Sequence, residues 1–140
     1  MKPLSRTAKK LLIVDDLEGV REVYTELFNP YFEIKAAERG EEALELFHSF
    51  QPDVVYLDIH LEGTSASLQG PALLRLMKMK RPGVLICIIS SDSSREDELI
   101  QAGADAFFDK DPSRGQLFDF LIARGLLEVV QDLTRNGPCS

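Results

Sequence analysis

Five short apolar runs, at residues 10–14, 31–36, 53–57, 84–89 and 104–108, each precede a segment whose apolar residues recur at helical spacing. Those segments lie at 20–28, 41–50, 71–80, 95–102 and roughly 112–134. This alternation constrains the fold more than any other feature. Apolar runs without polar alternation suit strands covered on both faces. Strands that alternate with helices imply a parallel sheet between two helical layers. The expected architecture is therefore α/β: a three-layer, doubly wound (βα)5 fold. The punctuation agrees. Asn29-Pro30 stops the first helix, Gln51-Pro52-Asp53 leads into the third strand, Arg81-Pro82-Gly83 ends the third helix, and Ala102-Gly103 predicts a glycine cap on the fourth. Connections run to the two to six residues usual for such units, except the stretch from His60 to Gly70 after the third strand.

The chain has 140 residues, the size of one domain, which is expected to occupy 10–134 between tails at 1–9 and 135–140. Lys and Arg number 16 against 23 Asp and Glu, for a net charge of -7. Such a balance argues against direct nucleic-acid binding, which needs clustered cations, and against an anionic membrane surface. Cys87 sits in the apolar run VLICII and Cys139 in the terminal tail. Two such cysteines make no disulfide framework, so a cytoplasmic, reducing setting is expected. The apolar stretch LLIV behind the basic N-terminal segment is too short for a signal-peptide core.

Chemistry collects at the C-terminal ends of the strands. The first ends in Asp15-Asp16, the third in Asp58, the fourth in Ser90-Ser91-Asp92 and the fifth in Asp109-Lys110. Open parallel sheets bind ligands outside these ends, where the strand order reverses. Neighbouring carboxylates repel: at an effective dielectric of ~20, two unit charges about 4 Å apart interact by about 4 kcal/mol. Lys110 supplies one compensating charge and a divalent cation would supply two more. Hard oxygen ligands, few and open to water, favour Mg²⁺, with Mn²⁺ as a substitute. A carboxylate in that setting is a nucleophile toward phosphorus, and phosphoryl transfer asks mainly for positioning and charge neutralisation.

VDD at 14–16, VVYLD at 54–58, IISS at 88–91 and GADAFFDK at 103–110 resemble the response-regulator receiver domains of two-component signalling. The resemblance runs from about Lys10 to Thr134. It implies a flavodoxin-like sheet of order 2-1-3-4-5, with Asp58 as the phospho-acceptor. It implies a metal site made by Asp15, Asp16, Asp58 and the main-chain carbonyl of His60. By the same resemblance, Ser90 and Lys110 meet the phosphoryl group, and Ser90 and Phe107 move together as a switch. The side chains of His60 and Asp92 tune attack of water on the acyl phosphate. The implied partners are a histidine kinase or phosphotransfer protein and a downstream effector protein that reads the surface around the fourth helix, fifth strand and fifth helix. Such a domain is a switch that assists its own phosphorylation, not a turnover enzyme.

The chain departs from the family in two places. The run IHLEGTSASLQG after the acceptor is about four residues longer than the family's loop before the matching Gly70. Lys110 is followed by Asp111 and only then by Pro112, so the family's Lys-Pro pair is absent. Plainer readings stand beside the sharp ones. Asp15-Asp16 and Ser90-Ser91 suit helix N-termini, Lys110 suits a solvated surface, and His60 suits an ordinary loop. The apolar breadth of the last helix, from Leu117 to Leu133, fits either deep packing or a surface for a partner or a homodimer, with Gly125 a point of interruption.

Other functions are weaker. A haloacid dehalogenase-like phosphatase needs Asp-x-Asp after the first strand, where this chain has adjacent aspartates. A flavin carrier needs a Ser/Thr/Gly-rich loop where this chain has DDLEGVRE. The remaining alternative is a receiver-like module that binds partners without phosphorylation.

Overall fold

A computed structural model describes residues 9–61, 63–65, 68–109 and 116–127. Five parallel strands form one sheet: β1 (Lys10–Val14), β2 (Glu33–Ala37), β3 (Val54–Asp58), β4 (Leu85–Ile89) and β5 (Ala106–Phe108). Their order is β2-β1-β3-β4-β5, as expected. Helices follow the strands in turn: α1 (Glu18–Phe28), α2 (Gly40–Phe50), α3 (Gly70–Lys80), α4 (Glu96–Gln101) and α5 (Gln116–Ala123). No helix of the described residues is long and apolar enough to cross a membrane.

The sheet separates two cores because successive side chains of a strand point to opposite faces. Leu12, Val14, Val55, Leu57, Ile86 and Ile88 pack with Ala43 and Phe47 of α2, Leu73, Leu74 and Met77 of α3, and Leu99 of α4. Leu11, Ile13, Val54, Tyr56, Cys87 and Ile89 pack with Tyr24 and Phe28 of α1 and Leu117 and Leu121 of α5. β3, buried along its whole length, is the centre of both cores. The edge strand β2 alternates exposed and half-buried residues up to Ala37, which is buried.

The differences from the sequence reading have local causes. β2 starts two residues later than the apolar run suggests. The N–H groups of Tyr31 and Phe32 still donate to the Phe28 carbonyl at the end of α1, at 2.9 and 3.0 Å. β5 starts at Ala106 rather than Ala104. The Ala104 N–H donates to Leu99 O and the Gly103 N–H to Ile100 O, a helix-ending motif with Gly103 at φ +120°. That is the glycine cap expected after Ala102. The fourth helical segment opens as a 3-10 turn at Ser93–Arg95 and becomes α-helical at Glu96.

The fifth helix is shorter than its apolar pattern implies. It stops at Ala123, where the Leu126 N–H donates to Leu121 O at 2.8 Å and the Gly125 N–H to Ile122 O at 3.0 Å. Gly125, at φ +78°, takes the left-handed position that this ending requires. Leu126 and Leu127 then fold back into the α1–α5 core, so the described apolar residues beyond the helix are covered within the chain. Residues 128–134 and the two expected tails, at 1–9 and 135–140, lie outside the described residues apart from Lys9.

Candidate functional site

Parallel strands place all their C-terminal ends along one rim. Val14 pairs with Leu57 and Asp58 with Ile89, so Asp15 follows its strand beside Asp58, and Ser90 lies one residue beyond Asp58's other neighbour. Among the described residues, the buried polar side chains are Asp15, Asp58 and Ser90, and all three stand on this rim. A carboxylate oxygen from each of Asp15, Asp16 and Asp58 lies within 4.8 Å of the other two. Beside them opens a cleft of about 400 Å³ lined by Asp16, Leu17, Asp58, Ile59, His60, Ser90 and Ser91.

Asp15 is fixed from several directions. Its Oδ1 accepts the Leu17 N–H at 3.0 Å, and its main-chain carbonyl accepts from Arg21 Nη1 at 2.8 Å. Its N–H donates to Ala37 O at 3.1 Å, and the Tyr56 hydroxyl donates to its Oδ2 at 3.2 Å. Burial, reinforced by the Asp15 charge, pushes the Tyr56 phenol above its usual range, so it stays a proton donor to the carboxylate. The sequence reading missed Tyr56. Its one signal is a phenol in an otherwise aliphatic buried strand, VVYLD, where the hydroxyl must find a partner.

Asp58 receives the His60 N–H at 3.5 Å, the outer limit of a hydrogen bond. Ser90 is held by its N–H, which donates to Phe108 O at 3.0 Å, while its Oγ accepts the Asp92 N–H at 3.0 Å. Asp92 in turn caps the 3-10 turn: its Oδ1 accepts the Ser94 N–H at 3.1 Å and the Ser94 hydroxyl at 2.6 Å. The Ser94 hydroxyl is the main reason its carboxyl titrates below the ordinary aspartate range, and a small part comes from His60. The helix-capping expected of the SSDSSRED run thus belongs to Asp92, which leaves Ser90 facing the cleft. Phe107 is half-buried, pairs with Ile88 and packs against the α2–α4 core. Lys110 lies outside the described residues.

The long connection after β3 is docked on α2. Thr64 Oγ1 accepts the Gly40 N–H at 2.9 Å, and Glu41 Oε2 accepts the Ser65 N–H at 3.1 Å. The latter contact is the first cause of a lowered Glu41 carboxyl pKa.

Three carboxylate oxygens, two of them from buried residues, form a hard anionic donor set beside an open cleft. That fits a small divalent cation such as Mg²⁺, which takes few protein ligands and keeps waters.

A family model described as the response regulator receiver domain matches residues 11–122. The chain is 29% identical over 119 residues to the chemotaxis protein CheY of Halobacterium salinarum, covering 80% of this chain and 92% of that one. It is 27% identical over 135 residues to the transcriptional regulatory protein DegU of Brevibacillus brevis, covering 91% of this chain but only 51% of DegU. The crystal structure of the receiver domain of NtrX from Brucella abortus matches with a TM-score of 0.71 at 28% identity, over 83% of this chain and 97% of that one.

Proposed function

The chain belongs to the response regulator receiver domain family of two-component signalling, and on that premise we propose that Asp58 is its phospho-acceptor. The observation that carries the reading is the coincidence of the buried polar side chains Asp15, Asp58 and Ser90 on one rim, beside a cleft large enough for a phosphoryl group. In the proposed reaction a carboxylate oxygen of Asp58 bonds to phosphorus as the donor's P–N or P–O bond breaks. The donor is a histidine kinase, a phosphotransfer protein or a small acyl phosphate. The Ser90 hydroxyl and the Lys110 ammonium meet the oxygens of the transferred group.

Asp15, Asp16, Asp58 and the His60 main-chain carbonyl would hold Mg²⁺, or Mn²⁺ in its place. The bound ion supplies positive charge that offsets both the carboxylate cluster and the incoming phosphoryl group. Tyr56 and Leu17 hold the Asp15 carboxylate in place at the rim. Ser90 and Phe107 form the switch: a shift of Ser90 toward the phosphoryl group pulls on Asp92 and on Phe108, its hydrogen-bond partners, and Phe108 follows Phe107 in β5. His60 and Asp92, flanking the cleft, tune the lifetime of the acyl phosphate. His60→Ala and Asp92→Ala with unchanged dephosphorylation rates would remove that role. The domain, proposed to span 10–134, thereby acts as a cytoplasmic switch for an effector protein rather than as a turnover enzyme.

The test is intact mass after incubation with acetyl phosphate, with and without Mg²⁺, on the wild type and Asp58→Asn. A gain of one phosphoryl group that needs Mg²⁺ and vanishes in the variant is the expected result. No gain from acetyl phosphate or from a phosphorylated kinase would instead leave a receiver-like module that binds partners without phosphorylation.

A further inference from the structure

The connection between β3 and α3 is closed at its base, where the Gly70 N–H donates to Ile59 O at 3.1 Å. Inside it, one amide side chain makes three bonds. Gln69 Oε1 accepts the Leu61 N–H at 2.9 Å, and Nε2 donates to Leu61 O at 2.9 Å and to Thr64 O at 3.0 Å. The Leu61 N–H belongs to the same peptide unit as the His60 carbonyl. A peptide unit is planar, and no cis bond occurs among the described residues, so its N–H and C=O point to opposite sides. An acceptor locked onto that N–H therefore sets the direction of the His60 carbonyl, away from Gln69. His60 itself lines the cleft with Asp16 and Asp58, and its own N–H faces Asp58.

We infer that Gln69 is a positioning residue: its amide clamps the 60–61 peptide so that the His60 carbonyl is presented as an oxygen ligand for a divalent cation. This rests on the metal reading proposed above. A main-chain ligand in a long connection is useful only when its peptide plane is set in advance, because ordering it on binding opposes affinity. A second anchor meets the same connection at Thr64 and Ser65 but through other groups, the Thr64 hydroxyl and the Ser65 N–H. Thr64 and Ser65 meet Gly40 and Glu41 of α2 through bonds that do not include the 60–61 peptide. The two anchors can therefore be separated by mutation.

The experiment measures the Mg²⁺ dissociation constant of the full chain by calorimetry, with Mn²⁺ as a second probe, and the unfolding temperature in EDTA. Gln69→Leu is expected to raise the dissociation constant about ten-fold and to expose the Leu61 amide to hydrogen exchange. Gln69→Met serves if the leucine variant folds poorly. Thr64→Ala is expected to lower the unfolding temperature yet leave the dissociation constant within about two-fold of wild type. Gln69 variants that lose stability but keep wild-type affinity would make Gln69 a structural clamp and overturn the inference. A Thr64→Ala loss as large as that of Gln69→Leu would overturn it too, since order in the connection as a whole would then explain both. Asp16→Asn is the control. Its failure to weaken Mg²⁺ binding, or absent binding by the wild type, would overturn the metal reading and this inference with it. A persistent Asp16 effect without a Gln69 effect would remove only the latter.

Discussion

Two loops flank the cleft, and they are built in opposite ways. The β3–α3 connection is tied to another element, α2, through Thr64 and Ser65, and across itself through Gln69 and through the Gly70–Ile59 bond that closes its base. It leaves β3, which is buried throughout. The β4–α4 connection is tied mostly to itself, through Asp92, Ser90 and Ser94, and leads to a six-residue helix with one buried side chain, Leu99. Its neighbour β5 has three residues, all half-buried. Regions with few buried apolar contacts open at lower free energy than the core. The comparison teaches that the carboxylate side of the rim is more firmly anchored than the serine side, which is the division that the proposed phosphorylation switch would need.

Native-state hydrogen exchange would break that comparison most directly. The β3 amides are expected to exchange at least about a hundred-fold more slowly than those of α4. Equal protection would mean that both sides open together, and the serine side would lose its claim to be the responsive one.

The next largest effect is at the base of the anchored loop. A Cβ at Gly70 would collide with Ile59 O and stand 2.6 Å from Ile59 Cα, contacts with rigid backbone. Gly70→Ala is expected to destabilise the fold by about 3 kcal/mol in urea denaturation. At Gly83, by contrast, an added Cβ meets none of the described residues within 4 Å. Gly83→Ala should then stay within about 0.5 kcal/mol of wild type. If Gly70→Ala is equally harmless, the connection is not closed as described.

Tyr56→Phe sharpens the same side of the comparison. It removes the hydroxyl that donates to Asp15 Oδ2 and leaves a buried carboxylate short of a partner. The expected loss is about 2 kcal/mol of stability without Mg²⁺, read by denaturation in EDTA. A variant as stable as the wild type would mean that the Asp15 carboxylate is held without the Tyr56 hydroxyl.

Tyr56 and Gln69 mark where the sequence stopped being readable. The succession of strands and helices follows from apolar periodicity, and the placing of Asp15, Asp16 and Asp58 at strand ends from which residues end each strand, because both are properties of single segments; the strand order that gathers the three carboxylates was implied only by the resemblance to receiver domains. Tyr56 and Gln69 act through partners 41 and 8 residues away. No local pattern announces such pairings. The end of α5 failed for a related reason. The apolar residues continue past Ala123, but Gly125 turns the chain so that Leu126 and Leu127 reach the core without helix. Periodicity reports that residues are buried, not which backbone carries them there. The Asp92 cap was half visible: SSDSSRED marks a helix start, yet only the hydrogen bonds show that Asp92, not Ser90, serves it.

The smallest expected effect lies on the responsive side. The Ser94 hydroxyl and N–H hold the Asp92 carboxyl below its ordinary value of 3.8, so folding favours the charged form. A depressed carboxyl contributes stability that is fully present above the unfolded value and lost as pH falls through the folded one. The window therefore opens near 3.8 and extends below it. Asp92→Ala should lower the unfolding temperature slightly at neutral pH, because the carboxylate is exposed and its contribution is screened by solvent. The gap from wild type should close as the pH drops below that value. A gap that persists in acid would assign the effect to lost backbone capping by the uncharged side chain rather than to the charge. A large gap at neutral pH would show the β4–α4 connection to be as firmly anchored as its neighbour, and the contrast between the two loops would fall.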